Sequence, residues 1–275
     1  MRLPSLALVN PLAPYIAAWN STAADLDELF AELTNEDWTK PTQCPGWSVF
    51  DVAGHLAAIE AELAGQSAPP PAHGDAGPLS PRYSQAGVDA RQGRTPGEVV
   101  EEFRAAVVRR AANLAVDPPG DPAGLATISP AGRGWDWETL LRNRVIDLWV
   151  HEQDIREATD RPGDLDTPGA QVTLASFSMA LPYIVAKKAA APIGSIVFFD
   201  VSGPFGFTRA VTVDANGRGV VIDARAGRPT VSLAADTATF ARLCAGRIPA
   251  TDAAVSVGGD PDLGARLLKS MSVTP

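Results

Sequence analysis

Apolar residues in the first part of the chain recur at three- and four-residue steps, the spacing that places side chains on one face of an α-helix. This pattern predicts a helix over residues 14–33, one that begins at Ser48, one after Thr95, one after Asp136 and one around residues 174–185. Ser48 and Thr95 are each followed three residues later by an acidic residue, which is typical of a capping box at a helix start. The first part of the chain is therefore predicted to be largely helical.

The pattern changes after Gly194, where short runs of β-branched and aromatic residues are separated by Gly, Asn, Asp or Pro. Such runs are typical of strands in a small antiparallel sheet. They cover residues 195–201, 206–213, 219–223 and 230–233. Two further helices are predicted to start at Asp236 and Asp260, each of which can act as an N-cap. The sequence thus predicts an α+β protein, with a helical domain over residues 1–190 and a small α/β domain over residues 191–275.

Composition and charge narrow the classes of function. The chain has 275 residues, 45% of them hydrophobic and 20% charged, which is typical of a globular protein. Its formal net charge of -9 argues against nucleic acid as a partner, because binding to phosphate backbones needs clustered Lys and Arg. The apolar run before residue 10 is too interrupted for an export signal, and the later apolar region is broken by Lys187, Lys188 and Pro192. We therefore expect a soluble, cytoplasmic protein that is not bound to a membrane.

Candidate chemistry is concentrated in the helical part. Asp147 and His151 lie four residues apart in a helical segment, so their side chains share one face and could bind one divalent metal ion. His55, in the helix that begins at Ser48, is the obvious third ligand, although an intrahelical hydrogen bond between an acid and a histidine would explain the pair equally simply. The cysteines, Cys44 and Cys244, form no CxxC motif and indicate neither a disulfide framework nor a thiolate zinc site.

Three segments together resemble a known family. They are Pro41 to Leu56, which contains Cys-Pro-Gly-Trp and His55, Asp147 to Arg156, and Thr239 to Arg247. In these segments the chain resembles the mycothiol-dependent maleylpyruvate isomerase family. The resemblance implies a DinB-like four-helix bundle that binds a divalent metal, usually zinc, followed by a small α/β domain similar to sterol carrier proteins.

The resemblance also implies roles for particular residues. It places the metal ligands on His55, Asp147 and His151, and many family members have Glu where this chain has Asp147. The shorter side chain is expected to shift the metal or to hold it more weakly. Arg247 resembles a family arginine that binds anionic groups, although a positive charge favoured by the dipole at a helix C-terminus explains it equally well. As our own hypothesis, Arg144 or Arg247 binds a carboxylate of the substrate or of the thiol.

The function that the resemblance implies is mycothiol-dependent and metal-dependent. Three protein ligands would leave a fourth position on zinc open for the sulfur of mycothiol, so that its thiolate could attack a small electrophile. The outcome would be isomerisation of the maleylpyruvate type or transfer of the thiol. A metal-dependent hydrolase that uses bound water and a non-catalytic protein that binds a small ligand remain as alternatives. The sequence leaves open the electrophile, the metal and the oligomeric state.

Overall fold

The structure is a computed structural model that describes residues 10–66, 81–224 and 227–274. It divides into two compact units, the first ending at Gly163 and the second running from Asp164 to Thr274. The fold class is α+β, as predicted, because helices form the first unit and a sheet with flanking helices forms the second.

The first unit is built on four long helices and one short helix. In chain order they are α1 (Ala13–Glu32), α2 (Val49–Leu63), α3 (Pro81–Asp89), α4 (Pro96–Val116) and α5 (Trp137–Thr159). The helix α2 packs against α4, α1 packs against α5, and α2 also contacts α5. Short 3₁₀ turns occur at Asp37–Thr39 and Pro130–Gly132. The four long helices form the four-helix bundle that the family resemblance implied.

Three of the four long helices, α2, α4 and α5, begin at the predicted capping residues. The Ser48 side chain accepts a hydrogen bond from the backbone N–H of Asp51, and the Asp51 carboxylate accepts one from the Ser48 backbone. Thr95 forms the same reciprocal pair with Glu98 at the start of α4. Asp136 caps α5 through the backbone N–H of Thr139, at 2.7 Å. These caps satisfy backbone N–H groups that have no partner within the helix.

The bundle core is filled by large apolar side chains from all the long helices. Its largest fully buried members include Trp19, Leu26, Leu29, Leu56, Phe103, Leu140, Leu141, Leu148, Trp149 and Ile155. The short helix α3 was not predicted, and it packs on α2 where Gly87 faces Ala58. A Cβ on Gly87 would lie 2.8 Å from the Cβ of Ala58, so the absence of a side chain permits this close packing.

The second unit joins a five-stranded sheet to three helices. The helices are α6 (Pro168–Tyr183), which continues as a π-helical turn (Ile184–Lys188), α7 (Thr237–Cys244) and α8 (Pro261–Lys269). The strands are β1 (Ile196–Ser202), β2 (Phe207–Val213), β3 (Gly219–Ile222), β4 (Val231–Asp236) and β5 (Ser256–Gly259). Their order in the sheet is β3-β2-β1-β4-β5.

The strand directions refine the sequence prediction. The pairs β1–β2, β2–β3 and β4–β5 are antiparallel, as predicted, with Val197 opposite Val211 in the first. The pair β1–β4 is parallel, with Val197 opposite Val231, so the sheet is mixed. After the β1-β2-β3 meander the chain returns to the free side of β1. Local alternation of side chains reveals strands but does not specify this return.

The helix α6 belongs to the second unit by its contacts. It packs against α7, β2 and β3, so the compact units divide after Gly163, whereas the sequence pattern placed the boundary at residue 190. That residues 1–190 and 191–275 form separate domains stays a prediction. Pro168–Lys188 is also the one helical stretch among the described residues that is long and apolar enough to cross a membrane. Half of its apolar window is buried within the protein, which is equally typical of a core helix, so this is weak evidence for a membrane span.

Candidate metal centre

The three predicted ligands come together in the first unit. His55 lies on α2, and Asp147 and His151 lie one turn apart on α5. Nε2 of His55 is 3.4 Å from Oδ2 of Asp147, Nε2 of His151 is 3.8 Å from Oδ1 of Asp147, and one ligand atom from each residue lies within 4.8 Å of the others. Ligand atoms on a tetrahedral zinc ion are about 3.3 Å apart, given bonds of roughly 2.0–2.2 Å. The donor types and their spacing therefore fit a divalent metal.

The electrostatic surroundings give two of these groups the protonation states that a metal requires. Burial lowers the pKa of His55, which favours the neutral imidazole with a free lone pair. Burial alone would raise the pKa of Asp147, but the positive charge of Arg144 and the neighbouring His55 outweigh it, and the pKa lies well below its usual value. Asp147 is thus a carboxylate at neutral pH. Its side chain is 31% exposed, whereas both histidines are buried, so the site opens on the Asp147 side.

A second acid on α5 orients His151. Nδ1 of His151 lies 2.9 Å from Oδ2 of Asp154, which is buried. Because a carboxylate accepts hydrogen bonds, this partner assigns the proton of the ring to Nδ1 and leaves the lone pair on Nε2. Nε2 is the nitrogen that faces Asp147. Three polar residues of α5, Arg144, His151 and Asp154, are therefore buried within the protein and not exposed to solvent.

Trp47 covers the two imidazoles. Its ring centroid is 5.0 Å from that of His55 and 6.0 Å from that of His151. The indole N–H donates to Oε1 of Gln85 on α3 at 3.0 Å, which fixes the ring over the site. Trp47 also closes a tight turn, in which its backbone N–H donates to the carbonyl of Cys44 at 3.0 Å. The position of the ring could not be read from that turn.

Arg144 lies beside the site, but its observed contacts are with acids of the protein. Its Nη1 donates to Oδ2 of Asp147 at 2.7 Å, and its Nε and Nη2 donate to Oε1 of Glu60 at 3.1 and 2.9 Å. The side chain is buried. These contacts favour a role in which Arg144 holds Asp147 in place. The contact of Arg144 with a substrate carboxylate stays a prediction.

Glu60 was missed at the sequence level. It is fully buried on α2 and accepts hydrogen bonds from Trp19 on α1, Arg110 on α4 and Arg144 on α5. Arg110, one of its partners, is itself buried. One signal was available, because Glu60 is an acidic residue in an otherwise apolar stretch of α2, where an ionised side chain needs partners.

Arg247 and Cys244 belong to the second unit. Arg247 is in the second unit, after α7, where its Nη1 donates to the carbonyl of Ala245 at 3.0 Å, and its anion-binding role stays a prediction. Cys244 is fully buried, and burial raises the pKa of its thiol, so it is not poised as a nucleophile. The third histidine, His73, falls outside the described residues.

Comparison with known proteins identifies the family. The family described as the mycothiol maleylpyruvate isomerase N-terminal domain matches residues 19–156, half of the chain, and this range contains all three candidate ligands. A search of curated proteins finds no match. A crystal structure of the mycothiol-dependent maleylpyruvate isomerase is similar in fold, with a TM-score of 0.53 and 17% identity over 92% of this chain and 95% of that one. A structure of a histidine-to-alanine mutant of that enzyme matches over the same shares of the two chains, with 17% identity and a TM-score of 0.51. The chain belongs to the mycothiol-dependent maleylpyruvate isomerase family.

Proposed function

We propose that this protein is a zinc-dependent enzyme that uses mycothiol as a cosubstrate and acts on a small electrophile. The observation that carries the proposal is the convergence of His55, Asp147 and His151 within the part of the chain that matches the family. Two imidazoles and one carboxylate are a donor set that zinc accepts in catalytic sites, where one position stays open.

The residues themselves prepare the site for a metal. His55 is kept neutral by burial, Asp147 is kept ionised by Arg144, and His151 presents Nε2 because Asp154 holds its other nitrogen. A zinc ion bound by these groups would stabilise a thiolate over a thiol and so supply a nucleophile at neutral pH. The Trp47 ring covers one side of the site and keeps water from the imidazoles, while the partly exposed Asp147 marks the side from which ligands would approach.

The nucleophilic sulfur is expected to come from outside the chain. Cys244 is buried with a raised thiol pKa, and Cys44 is not part of the group formed by His55, Asp147 and His151. Addition of an external thiolate to an electrophilic double bond forms a carbon–sulfur bond as the carbon–carbon π bond breaks, and its electron pair moves to the conjugated electron-withdrawing group. If rotation about the resulting carbon–carbon single bond is followed by return of that electron pair and cleavage of the carbon–sulfur bond, the double bond re-forms, the thiolate is released and the product is an isomer. If the carbon–sulfur bond persists, the product is a thioether and the protein is an S-transferase.

The test combines metal analysis with thiol dependence. Purified protein is expected to contain one zinc per chain, and His151→Ala is expected to lose it. Turnover of maleylpyruvate or of a panel of activated alkenes, epoxides and halides should require added mycothiol. Regeneration of the thiol would identify an isomerase, and its stoichiometric consumption would identify a transferase.

Two outcomes would contradict the proposal. Zinc-dependent turnover that does not change when the thiol is omitted would indicate a hydrolase that uses water. Ligand binding that is unaffected in His55→Ala and His151→Ala, together with no turnover of any electrophile, would indicate a non-catalytic binding protein.

A further inference from the structure

Glu60 is the point at which all four long helices of the bundle meet. Its Oε1 accepts from the indole N–H of Trp19 at 3.1 Å and from two nitrogens of Arg144, and its Oε2 accepts from Nη1 of Arg110 at 2.7 Å. These donors come from α1, α5 and α4, and Glu60 itself is on α2. The carboxylate is completely inaccessible to solvent. Charges this deeply buried usually do not stabilise a protein relative to apolar residues of similar volume, so the network calls for a functional reason.

Arg144 connects this buried carboxylate to the candidate metal ligand. One edge of its guanidinium, Nε and Nη2, binds Glu60, and Nη1 binds Oδ2 of Asp147 at 2.7 Å. Because the guanidinium is planar and rigid, fixing one edge on Glu60 fixes the direction of the other. The orientation of Asp147 therefore depends on a residue that does not touch it.

We propose that Glu60 is a positioning residue for the metal site, acting through Arg144 to hold Asp147. Oδ2 of Asp147 accepts from the guanidinium, and Oδ1, which lies 3.8 Å from Nε2 of His151, is left for the metal. The inference rests on the proposed function, since it assumes that Asp147 binds zinc. Groups that orient metal ligands typically contribute ten- to one hundred-fold to metal affinity.

The negative charge of Glu60 is expected to favour metal binding, as is its positioning of Arg144. Arg144 places a positive charge beside a site for a positive ion, and Glu60 balances that charge at 2.9 Å. Without the carboxylate, Arg144 would keep its charge and have Asp147 as its remaining acidic partner. Both the loss of orientation and the uncompensated charge would weaken metal binding.

The test compares zinc affinity in matched variants, measured by competition with a chromophoric chelator. Glu60→Gln keeps the size of the side chain and removes the charge. Glu62→Gln is the control, because Glu62 lies on the same helix and is also buried but accepts from Tyr83 and from the backbone N–H of Ala131. We expect Glu60→Gln to weaken zinc binding about ten- to one hundred-fold and Glu62→Gln to leave it unchanged. Thermal unfolding of each zinc-free variant shows whether it is folded.

A second variant keeps the inference testable if Glu60→Gln does not fold. Arg144→Lys retains the positive charge, but an ammonium group cannot bind both acids in the same fixed geometry. It should also bind zinc at least about tenfold more weakly. If both single variants fold, combining them should cause less than the sum of the two separate losses.

The outcomes separate this inference from the proposed function. If the unmodified protein binds no zinc, both fail together. If it binds zinc and folded Glu60→Gln binds with equal affinity, the positioning role is overturned while the zinc site stands. If Glu60→Gln does not fold and Arg144→Lys binds zinc as tightly as the unmodified protein, the positioning role is also overturned.

Discussion

Nδ1 of His151 lies 2.9 Å from Oδ2 of Asp154, and the two residues are three positions apart on one face of α5. The contact is entirely within one helix, so it needs no residue from another element. It leaves Nε2 of His151 directed at Asp147. For the proposed metal site, local structure would therefore determine the tautomer and the ring orientation of His151.

Asp154→Asn is expected to weaken zinc binding by about ten- to one hundred-fold. The amide can donate to Nδ1, which would move the ring proton to Nε2 and block the lone pair that faces Asp147. Chelator competition measures the affinity. Asp27→Asn is a suitable control, because Asp27 forms a surface ion pair with Arg104 in a different part of the bundle. Equal zinc affinity for the Asp154 variant and the control would contradict the assigned tautomer.

Removal of zinc is expected to lower the unfolding temperature of the protein. A metal that binds the folded state and not the unfolded state adds about 1.4 kcal/mol of stability for each tenfold excess over its dissociation constant. Differential scanning calorimetry with zinc and with a chelator measures the change. His55→Ala should show the same unfolding temperature under both conditions, and a zinc response that persists in this variant would place the binding elsewhere.

Leu148→Ala should destabilise the protein by about 2–5 kcal/mol, because Leu148 on α5 is fully buried in the bundle core and its truncation leaves a cavity. Denaturant unfolding monitored by circular dichroism measures the free energy. Leu125→Ala removes the same atoms from a side chain that is 72% exposed, and its effect should stay within about 0.5 kcal/mol. Similar losses for the two variants would show that the core is not packed as described.

Glu60 and Glu62 should respond to pH in opposite directions although they lie on one helix. Burial alone would raise the pKa of Glu60, but Arg110 and Arg144 outweigh it, and the pKa is lowered from 4.5. The stability that the Glu60 carboxylate contributes is therefore present above pH 4.5 and is lost as pH falls through its folded pKa. Burial raises the pKa of Glu62 above 4.5, so ionisation of Glu62 is less favourable in the folded state than in the unfolded state. The folded state therefore loses stability as pH rises from 4.5 through the folded pKa of Glu62.

Unfolding free energies measured from pH 3 to pH 7 test this contrast. The loss of stability caused by Glu60→Gln should grow as pH rises, because the ionised native group is the one that is stabilised. The loss caused by Glu62→Gln should shrink over the same interval, because its native charge is unfavourable. Parallel profiles for the two variants would mean that the buried arginines do not determine the charge of Glu60.

The local features of the fold could be predicted because short-range sequence rules control them. The caps at Ser48, Thr95 and Asp136 depend on residues within one turn, and the shared face of Asp147 and His151 depends only on the helical repeat. The convergence of His55 with that pair depends on the packing of two helices, which the helical repeat does not specify. His55 was proposed as the third ligand only because histidine is a residue type that binds metals.

Other features depended on contacts between distant segments, and the sequence pattern does not encode these locally. The burial of Arg110 is determined by Glu60, fifty positions away along the chain, and a helical repeat cannot show that such a partner exists. The parallel pairing of β1 with β4 likewise results from the path of the chain between strands. The placement of Trp47 over the imidazoles depends on Gln85 of a helix that was not predicted.

The joining of Glu60, Arg110 and Arg144 at the centre of the bundle also restricts how this protein can diverge. A replacement of Glu60 alone would leave two buried guanidinium groups without their shared counter-charge. A replacement of either arginine alone would leave the buried Glu60 carboxylate with one positive partner instead of two. Descendants of this sequence should therefore keep the three residues as a set or exchange them together, and an alignment of close relatives should show them covarying.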